Sequence, residues 1–318
     1  MWTMLRFLAK KPSLGIEITD SAVLVAAVSG RGGSIAVEYA ARRDLPAGVV
    51  TGSYASANIS EQRGVVNALR ECLSGSSLPY RRAALSLPDK VFRVQTLDFD
   101  ALPAKSAERA RLISWRLEKS AAFDLTDTVL RYQVLRRQGR GFTVLACAAK
   151  RAVIAQYETV LMEAGLEPWT VGVSSFHILN FYFPLMSGKS PSFAITHLTD
   201  DSFTTMVAET GGTRFYRFKD MKRVNAEEMK ARFMREIEDS LHFYFTQRDR
   251  TQASDVQSLY LTGTTSLPYD LAEGLSISTS LRVEVLSPDD VVAQTGERSA
   301  PTVLSPAASA ALGAGSIL

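Results

Sequence analysis

Two stretches of the chain repeat one pattern, and that repeat limits the possible folds more than any other feature. Pro12-Ser-Leu-Gly-Ile-Glu-Ile-Thr-Asp-Ser21 leads through an apolar run to Gly32-Gly-Ser34. Pro191-Ser-Phe-Ala-Ile-Thr-His-Leu-Thr-Asp-Asp-Ser202 leads through another to Gly211-Gly-Thr213. Each reads as a strand, a Thr-Asp turn, a second strand and a Gly-Gly turn before a third strand, which is a hairpin signal. Order and lengths agree with one residue inserted. The 318-residue chain is therefore expected to hold two copies of one lobe.

Between the repeats, Val65, Leu69, Cys72 and Leu73 make a helical stripe, and Ala83 to Leu87 is an apolar strand stopped by Pro88. Phe92 and Val94 alternate with Arg93 and Gln95. After Pro103 a helix over 104–119 carries Ala110, Ile113 and Leu117 on one face, Leu112 and Trp115 on another. Leu130 to Val134 and Phe142 to Ala148 alternate around a Gly139/Gly141 turn, and Val153, Tyr157, Val160, Leu161 and Ala164 form a helix ended by Gly165. Residues 92–166 thus read strand, helix, strand, strand, helix. Beyond the second repeat, 226–247 is a helix with Met234, Ile237, Leu241 and Phe245 on one face, Met229 and Phe233 beside it, and Glu227 and Glu228 at its start. Strands follow at Leu259 to Gly263 and Arg282 to Leu286. Alternating strands and helices argue for α/β architecture.

Composition removes several functions. Thirty-six Lys and Arg against 33 Asp and Glu give a net charge of only +3, too balanced for a dedicated nucleic-acid binder. Cys72 and Cys147 stand alone, which suits a reducing compartment, and His177, His197 and His242 lack the spacing of a zinc site. No apolar stretch approaches the roughly 20 residues of a membrane-spanning helix. Residues 1–11 do not read as a secretory signal; they suit a terminal turn or a weak interfacial anchor. Residues 295–310 read as loop. The basic pairs Lys10-Lys11, Arg42-Arg43, Arg81-Arg82 and Arg136-Arg137 are each read as solvated loop ends. Ser174, Ser175 and His177 lie at a helix start without an acid or oxyanion motif, so they read as a cap and a histidine rather than a catalytic set.

Several segments, in order, carry a family resemblance: Leu14-Gly-Ile-Glu-Ile18, Leu45-Pro-Ala-Gly48, Ala84-Leu-Ser-Leu-Pro88, Trp115-Arg-Leu-Glu-Lys119, Leu130-Arg-Tyr-Gln-Val-Leu135, Val144-Leu-Ala-Cys-Ala-Ala-Lys-Arg151, Tyr157 to Pro168 and Val173-Ser-Ser-Phe176. Together they resemble the PilM family of cytoplasmic type IV pilus assembly proteins. The resemblance implies an actin-like fold of two duplicated ribonuclease H-like lobes with a small α+β insert in the first. The expected division is a terminal segment 1–13, a first lobe 14–91 plus 167–189, an insert 92–166 and a second lobe 190–318. Ala307 to Gly315 resembles the closing helix.

Actin-like ATPases use two phosphate-binding hairpins with Asp-x-Gly motifs, the Gly letting backbone amides approach the phosphates. Here the first site reads Glu17-Ile18-Thr19, keeping an acid but not the Gly. The second, taken as Thr196-His197-Leu198, lacks both. The adenosine motif, Leu261-Thr-Gly-Thr-Thr-Ser266, keeps one Gly, and Asp200 and Asp201 read as turn residues. A degenerate nucleotide site would comprise Glu17, Thr19, Ser21, Gly263 and Thr264. No cofactor and no metal is expected, with magnesium-ATP the alternative.

The resemblance also implies a partner. In the PilM family the groove between first lobe and insert takes the cytoplasmic N-terminal peptide of PilN, an inner-membrane protein. Groove candidates are the helix 104–119 and the strands Leu130 to Leu135 and Val144 to Ala148, with Trp115, Tyr132, Gln133, Val134 and Leu145 as contact residues. Trp115 fits either a binding anchor or a core residue. The expected function is a non-enzymatic adaptor that couples inner-membrane pilus components to the motor side, with other platform or motor components as further partners. It is expected to be cytoplasmic and peripheral at the inner membrane through partners. The alternatives are an ATP-driven actin-like protein of the same machine, the cytoplasmic part of the type II secretion L protein, and a kinase of this fold.

Overall fold

The computed structural model describes residues 14–31, 34–76, 82–121, 124–136, 141–209, 212–221, 225–246, 256–263 and 267–293. The expectations for 1–13, for Gly32-Gly33, Gly139 and Gly211, for Thr264, for 295–310 and for the closing helix fall outside them.

The repeat is real at the level of strand order. The first copy comprises β1 (Leu14–Ile18), β2 (Ala22–Arg31), β3 (Ser34–Asp44), α1 (Gln62–Ser74), β4 (Arg82–Leu87) and, after an excursion, β8 (Glu167–Val173). Its sheet runs β3-β2-β1-β4-β8, with β1, β4 and β8 parallel. The second copy, β9 (Ser192–Leu198), β10 (Ser202–Glu209), β11 (Gly212–Asp220), β12 (Ser258–Gly263) and β13 (Arg282–Val285), runs β11-β10-β9-β12-β13, the same order. Even an irregularity is shared. The ladder slips after the sixth residue of β2, Ala27, and after the sixth residue of β10, Val207.

Between β4 and β8 the chain builds the expected strand-helix-strand-strand-helix series: β5 (Arg93–Phe99), α2 (Ser106–Ala121), β6 (Thr128–Arg136), β7 (Phe142–Lys150) and α3 (Arg151–Glu163). The three strands form an antiparallel sheet in the order β5-β7-β6. Ile113 and Leu117 of α2 pack on Leu97, Phe99, Val144, Ala146 and Ala148. The chain then passes through α4 (Ser174–Lys189) into the second copy, which adds α5 (Ala226–Thr246) and α6 (Leu267–Thr279) and ends in α7 (Pro288–Ala293).

Compactness groups these elements differently from topology. Residues 14–91, 152–182 and 288–293 form one unit, and residues 92–151 and 183–287 the other, so β5, α2, β6 and β7 pack with the second lobe. In that second unit β11 lies against β5 and β7. Its main core joins Phe203, Leu259 and Leu261 to Phe233, Ile237 and Leu241 of α5 and to Leu271 and Leu275 of α6. Each large apolar side chain so buried contributes roughly 2–3 kcal/mol. The α5 stripe ends on Tyr244, which is buried, while Phe245, expected on that face, is exposed. Steps of four from Met229 through Phe233 and Ile237 to Leu241 drift around the helix, and a step of three to Tyr244 corrects the drift. Asn225 caps α5, its Oδ1 accepting the Glu228 amide at 2.9 Å.

In the first unit a polar clamp ties the segment after β3 to α3. Asn58 Nδ2 donates to the Tyr157 hydroxyl at 3.0 Å, and Gln156 Oε1 accepts the Asn58 and Ile59 amides at 2.8 and 3.2 Å. Tyr157 is fully buried and Asn58 nearly so. Tyr157→Phe leaves the Asn58 amide without its acceptor and should cost about 1–3 kcal/mol. An unchanged urea midpoint would show that this clamp is not part of the stability of the unit.

Candidate functional site

The turn joining β1 to β2 is closed by one side chain. The Thr19 hydroxyl accepts the Ala22 amide at 3.0 Å and the Ser21 amide at 3.3 Å, and donates to the Ala22 carbonyl at 3.2 Å. The backbone completes the turn with Thr19 N–H to Ala22 C=O at 2.9 Å. Glu17 sits at the end of β1, buried, and accepts a hydrogen bond from Ser174 Oγ of α4 at 3.3 Å. Ser21 is exposed on the turn. Beyond β4, a single 3₁₀ turn, Asp89–Val91, places two more polar groups here. Buried Asp89 receives the Ser175 hydroxyl at 2.5 Å and the Ser175 amide at 3.2 Å, so a carboxylate rests on the first turn of α4, where the helix dipole favours it. Lys90 pairs with Asp20 at 2.6 Å.

The second hairpin repeats this turn. Thr199 Oγ1 accepts the Ser202 amide at 3.1 Å, and Thr199 N–H reaches the Ser202 carbonyl at 2.9 Å. The register also corrects the second motif. Glu17 pairs with Leu24 and Ser86, whereas His197 pairs with Thr204 and Thr262. The counterpart of Glu17-Ile18-Thr19 is therefore His197-Leu198-Thr199, one residue later than Thr196-His197-Leu198. Counted from Pro12 and Pro191 the two segments run one residue out of step with the strand pairing, so counting from Pro191 misplaces the motif. His197 is buried with its Nδ1 2.7 Å from Thr262 Oγ1, and Thr196 and Thr205 share a hydroxyl–hydroxyl bond of 2.9 Å. Gly263 has a packing reason to be glycine. A Cβ there would lie 2.9 Å from the Leu198 carbonyl oxygen and 2.8 Å from Pro268 Cγ.

The five residues proposed for peptide contact fall into three environments of the second unit. Trp115 is 48% exposed, which removes its core alternative, and Lys119 sits 4.5 Å over its ring. Tyr132 and Val134 of β6 are half-buried on the α2 face, beside Leu112 and Leu130. Gln133 and Leu145 are cross-strand partners on the opposite face. That face meets β11: a Cβ on Gly212 would fall 2.8 Å from Leu135 and 3.7 Å from Gln133. Leu145 is buried, so the strands do not present all four residues to one groove. The open feature is β6 itself, which ends its sheet; among the described residues no strand pairs with its outer edge.

Sequence reasoning missed Lys90 and Asp89, which no motif marks, took Asp20 only as part of the Thr-Asp turn, and missed His197 as the counterpart of Glu17. Only the offset between the two Thr-Asp turns carried that last signal.

Comparison with known proteins follows the same outline. The family model described as type IV pilus assembly protein PilM matches residues 15–217. The chain is similar to a solved PilM-PilN type IV pilus biogenesis complex, with a TM-score of 0.74 at 20% identity over 96% of this chain and 98% of that one. It is also similar to a Bacteroides thetaiotaomicron protein of actin-like ATPase fold and unknown function (TM-score 0.53, 13% identity, 94% and 100% covered) and to the ethanolamine utilization protein EutJ from Carboxydothermus hydrogenoformans (0.50, 12%, 96% and 91%). No curated protein matches the chain. The fold is actin-like, as expected from the duplicated hairpins.

Burial pushes both His177 and His197 down from 6.5 to about 4. The folded rings are neutral, while an unfolded chain protonates them once the pH falls below 6.5. Stability should therefore fall between pH 6.5 and about 4 and level off below, by up to roughly 3 kcal/mol per histidine. Urea midpoints across that range test this, with His177→Gln and His197→Gln each flattening the acid limb. A limb of equal slope in both variants would mean that the rings are not the groups responsible.

Proposed function

Because this chain belongs to the type IV pilus assembly protein PilM family, we propose that it is a non-catalytic adaptor that docks the cytoplasmic N-terminal peptide of a PilN-like inner-membrane protein. The observation that carries the non-catalytic part is the pair of threonine-closed turns. An Asp-x-Gly hairpin holds phosphate with free turn amides; here Thr19 takes those of Ser21 and Ala22, and Thr199 takes that of Ser202. The second acid is a neutral, hydrogen-bonded His197. Magnesium-ATP, the group this fold implies, does not fit these hairpins. The retained acid at Glu17 favours an ATP-binding protein of the same machine, but its carboxylate already accepts a hydrogen bond from Ser174.

The partner is supported by the resemblance to a structure named as a PilM-PilN complex. The outer edge of β6 offers backbone groups to an extended peptide, and half-buried Leu130, Tyr132 and Val134 beside it offer apolar contact for alternate side chains. Exposed Trp115 on α2 supplies an anchor outside this strip. Among the described residues no helix is long and apolar enough to cross a membrane, so attachment to the inner membrane would run through the partner.

Calorimetry with magnesium-ATP should show nothing tighter than the high-micromolar range; a low-micromolar constant overturns the non-catalytic reading. Docking is tested by titrating a peptide of the PilN-like tail, with micromolar affinity expected for a short peptide. Tyr132→Glu should weaken it about tenfold or more with the fold intact. Leu145→Asp buries a charge against β11 and should unfold the second unit instead. Undiminished affinity in Tyr132→Glu and Trp115→Ala together would move the docking surface elsewhere.

A further inference from the structure

Asp20 lies in the β1–β2 turn, yet that turn closes through Thr19 and leaves the Asp20 carboxylate for contacts outside it. Its Oδ1 accepts the Gly52 amide at 2.9 Å, and its Oδ2 receives Lys90 Nζ at 2.6 Å. The lysine is largely covered: its side chain is 16% exposed and that of Asp20 33%. Gly52 makes the path. A Cβ at that position would stand 2.8 Å from Lys90 Cε and 3.2 Å from Asp20 Oδ1, so the lysine stem passes where a side chain is missing. Lys90 itself projects from the 3₁₀ turn after β4, whose Asp89 is bound to the first turn of α4. Three segments distant in sequence, the β1–β2 turn, the Gly52 loop and the exit of β4, therefore meet on one partly buried ion pair.

We propose that Lys90 is a built-in cation that holds the first leading hairpin in place, so that this half of an actin-like lobe is ordered without a ligand. The proposal rests on the reading of the chain as an adaptor whose hairpins do not fit magnesium-ATP. In a hairpin that binds nucleotide, the charge organising the turn arrives with the metal and the phosphates. Here the anion is the Asp20 carboxylate and the cation is Lys90, both supplied by the chain. An ammonium spent on Asp20 is not offered to a phosphate, and a carboxylate on the turn repels one. The ion pair also gives the glycine at position 52 a packing reason that no backbone angle there supplies, since a Cβ would displace the Lys90 stem.

Hydrogen exchange of the full chain, read at the Gly52 amide and at Ser21 and Ala22, tests this. In the wild type these amides should be protected, and millimolar magnesium-ATP should leave them unchanged. In Lys90→Met and in Asp20→Asn, exchange at Gly52 should rise by about tenfold or more, while the Thr199–Ser202 turn of the second lobe stays as it was. Asp20→Asn keeps the size and an acceptor, so it remains informative if Lys90→Met folds poorly by circular dichroism. Unchanged exchange at Gly52 in both variants overturns the proposal, as does a wild-type turn that becomes protected only when magnesium-ATP is added. The adaptor reading fails separately: low-micromolar magnesium-ATP binding in calorimetry would sink it, even with both variants loosening the turn as expected.

Discussion

A threonine hydroxyl folded back on its own turn sets the character of both lobes. Thr19 and Thr199 each capture an amide two or three residues ahead, and each fixes the first hairpin of a five-stranded sheet. The later strands of these two sheets are laid down on these hairpins. β4 and β8 extend the first and β12 and β13 the second, in parallel and in the same order. The hydroxyl makes the turn self-sufficient. A glycine in its place would leave amides seeking an external acceptor. On the adaptor reading proposed above, that single choice of residue makes the hairpin a structural corner rather than a receptor for anions.

The order of elements was legible because periodicity survives in short amphipathic segments, and the insert is the best case. Alternation over Leu130 to Val134 and Phe142 to Ala148 gave the hairpin, and Ile113 and Leu117 gave the helix face above it. What alternation does not encode is the neighbour. It says that Gln133 and Leu145 share a face, and nothing in the string says that β11, about 80 residues onward, covers it. The same limit applies to Trp115, whose exposure depends on what fails to pack over α2 rather than on its own surroundings in sequence. The site suffered from a different cause. A one-residue insertion moved the second motif, and only strand pairing, Glu17 with Ser86 and His197 with Thr262, restores the correspondence.

The insert's packing bears on how such a molecule transmits binding. Its sheet and α2 are compact with residues 183–287 rather than with the lobe that contains it in sequence. A peptide on the β6 edge would load elements whose other face already rests on Gly212 and the start of β11. The buried Leu135 is one point at which the insert sheet approaches the start of that hairpin strand.

The paired bulges carry one more implication. Past Ala27 the strand opposite changes parity: Tyr39 faces Ala27, but Val28 faces Val37, leaving Glu38 as the extra residue. In the second lobe Val207 faces Phe215 and Ala208 faces Thr213, leaving Arg214 extra. Each hairpin thus carries one unpaired residue in its third strand, which bends that strand and increases the local twist. Removing Glu38 or Arg214 would bring Tyr39 next to Val37 and Phe215 next to Thr213, each still opposite its present partner, so the ladder would become regular and the hairpin would lose its bend rather than its pairing.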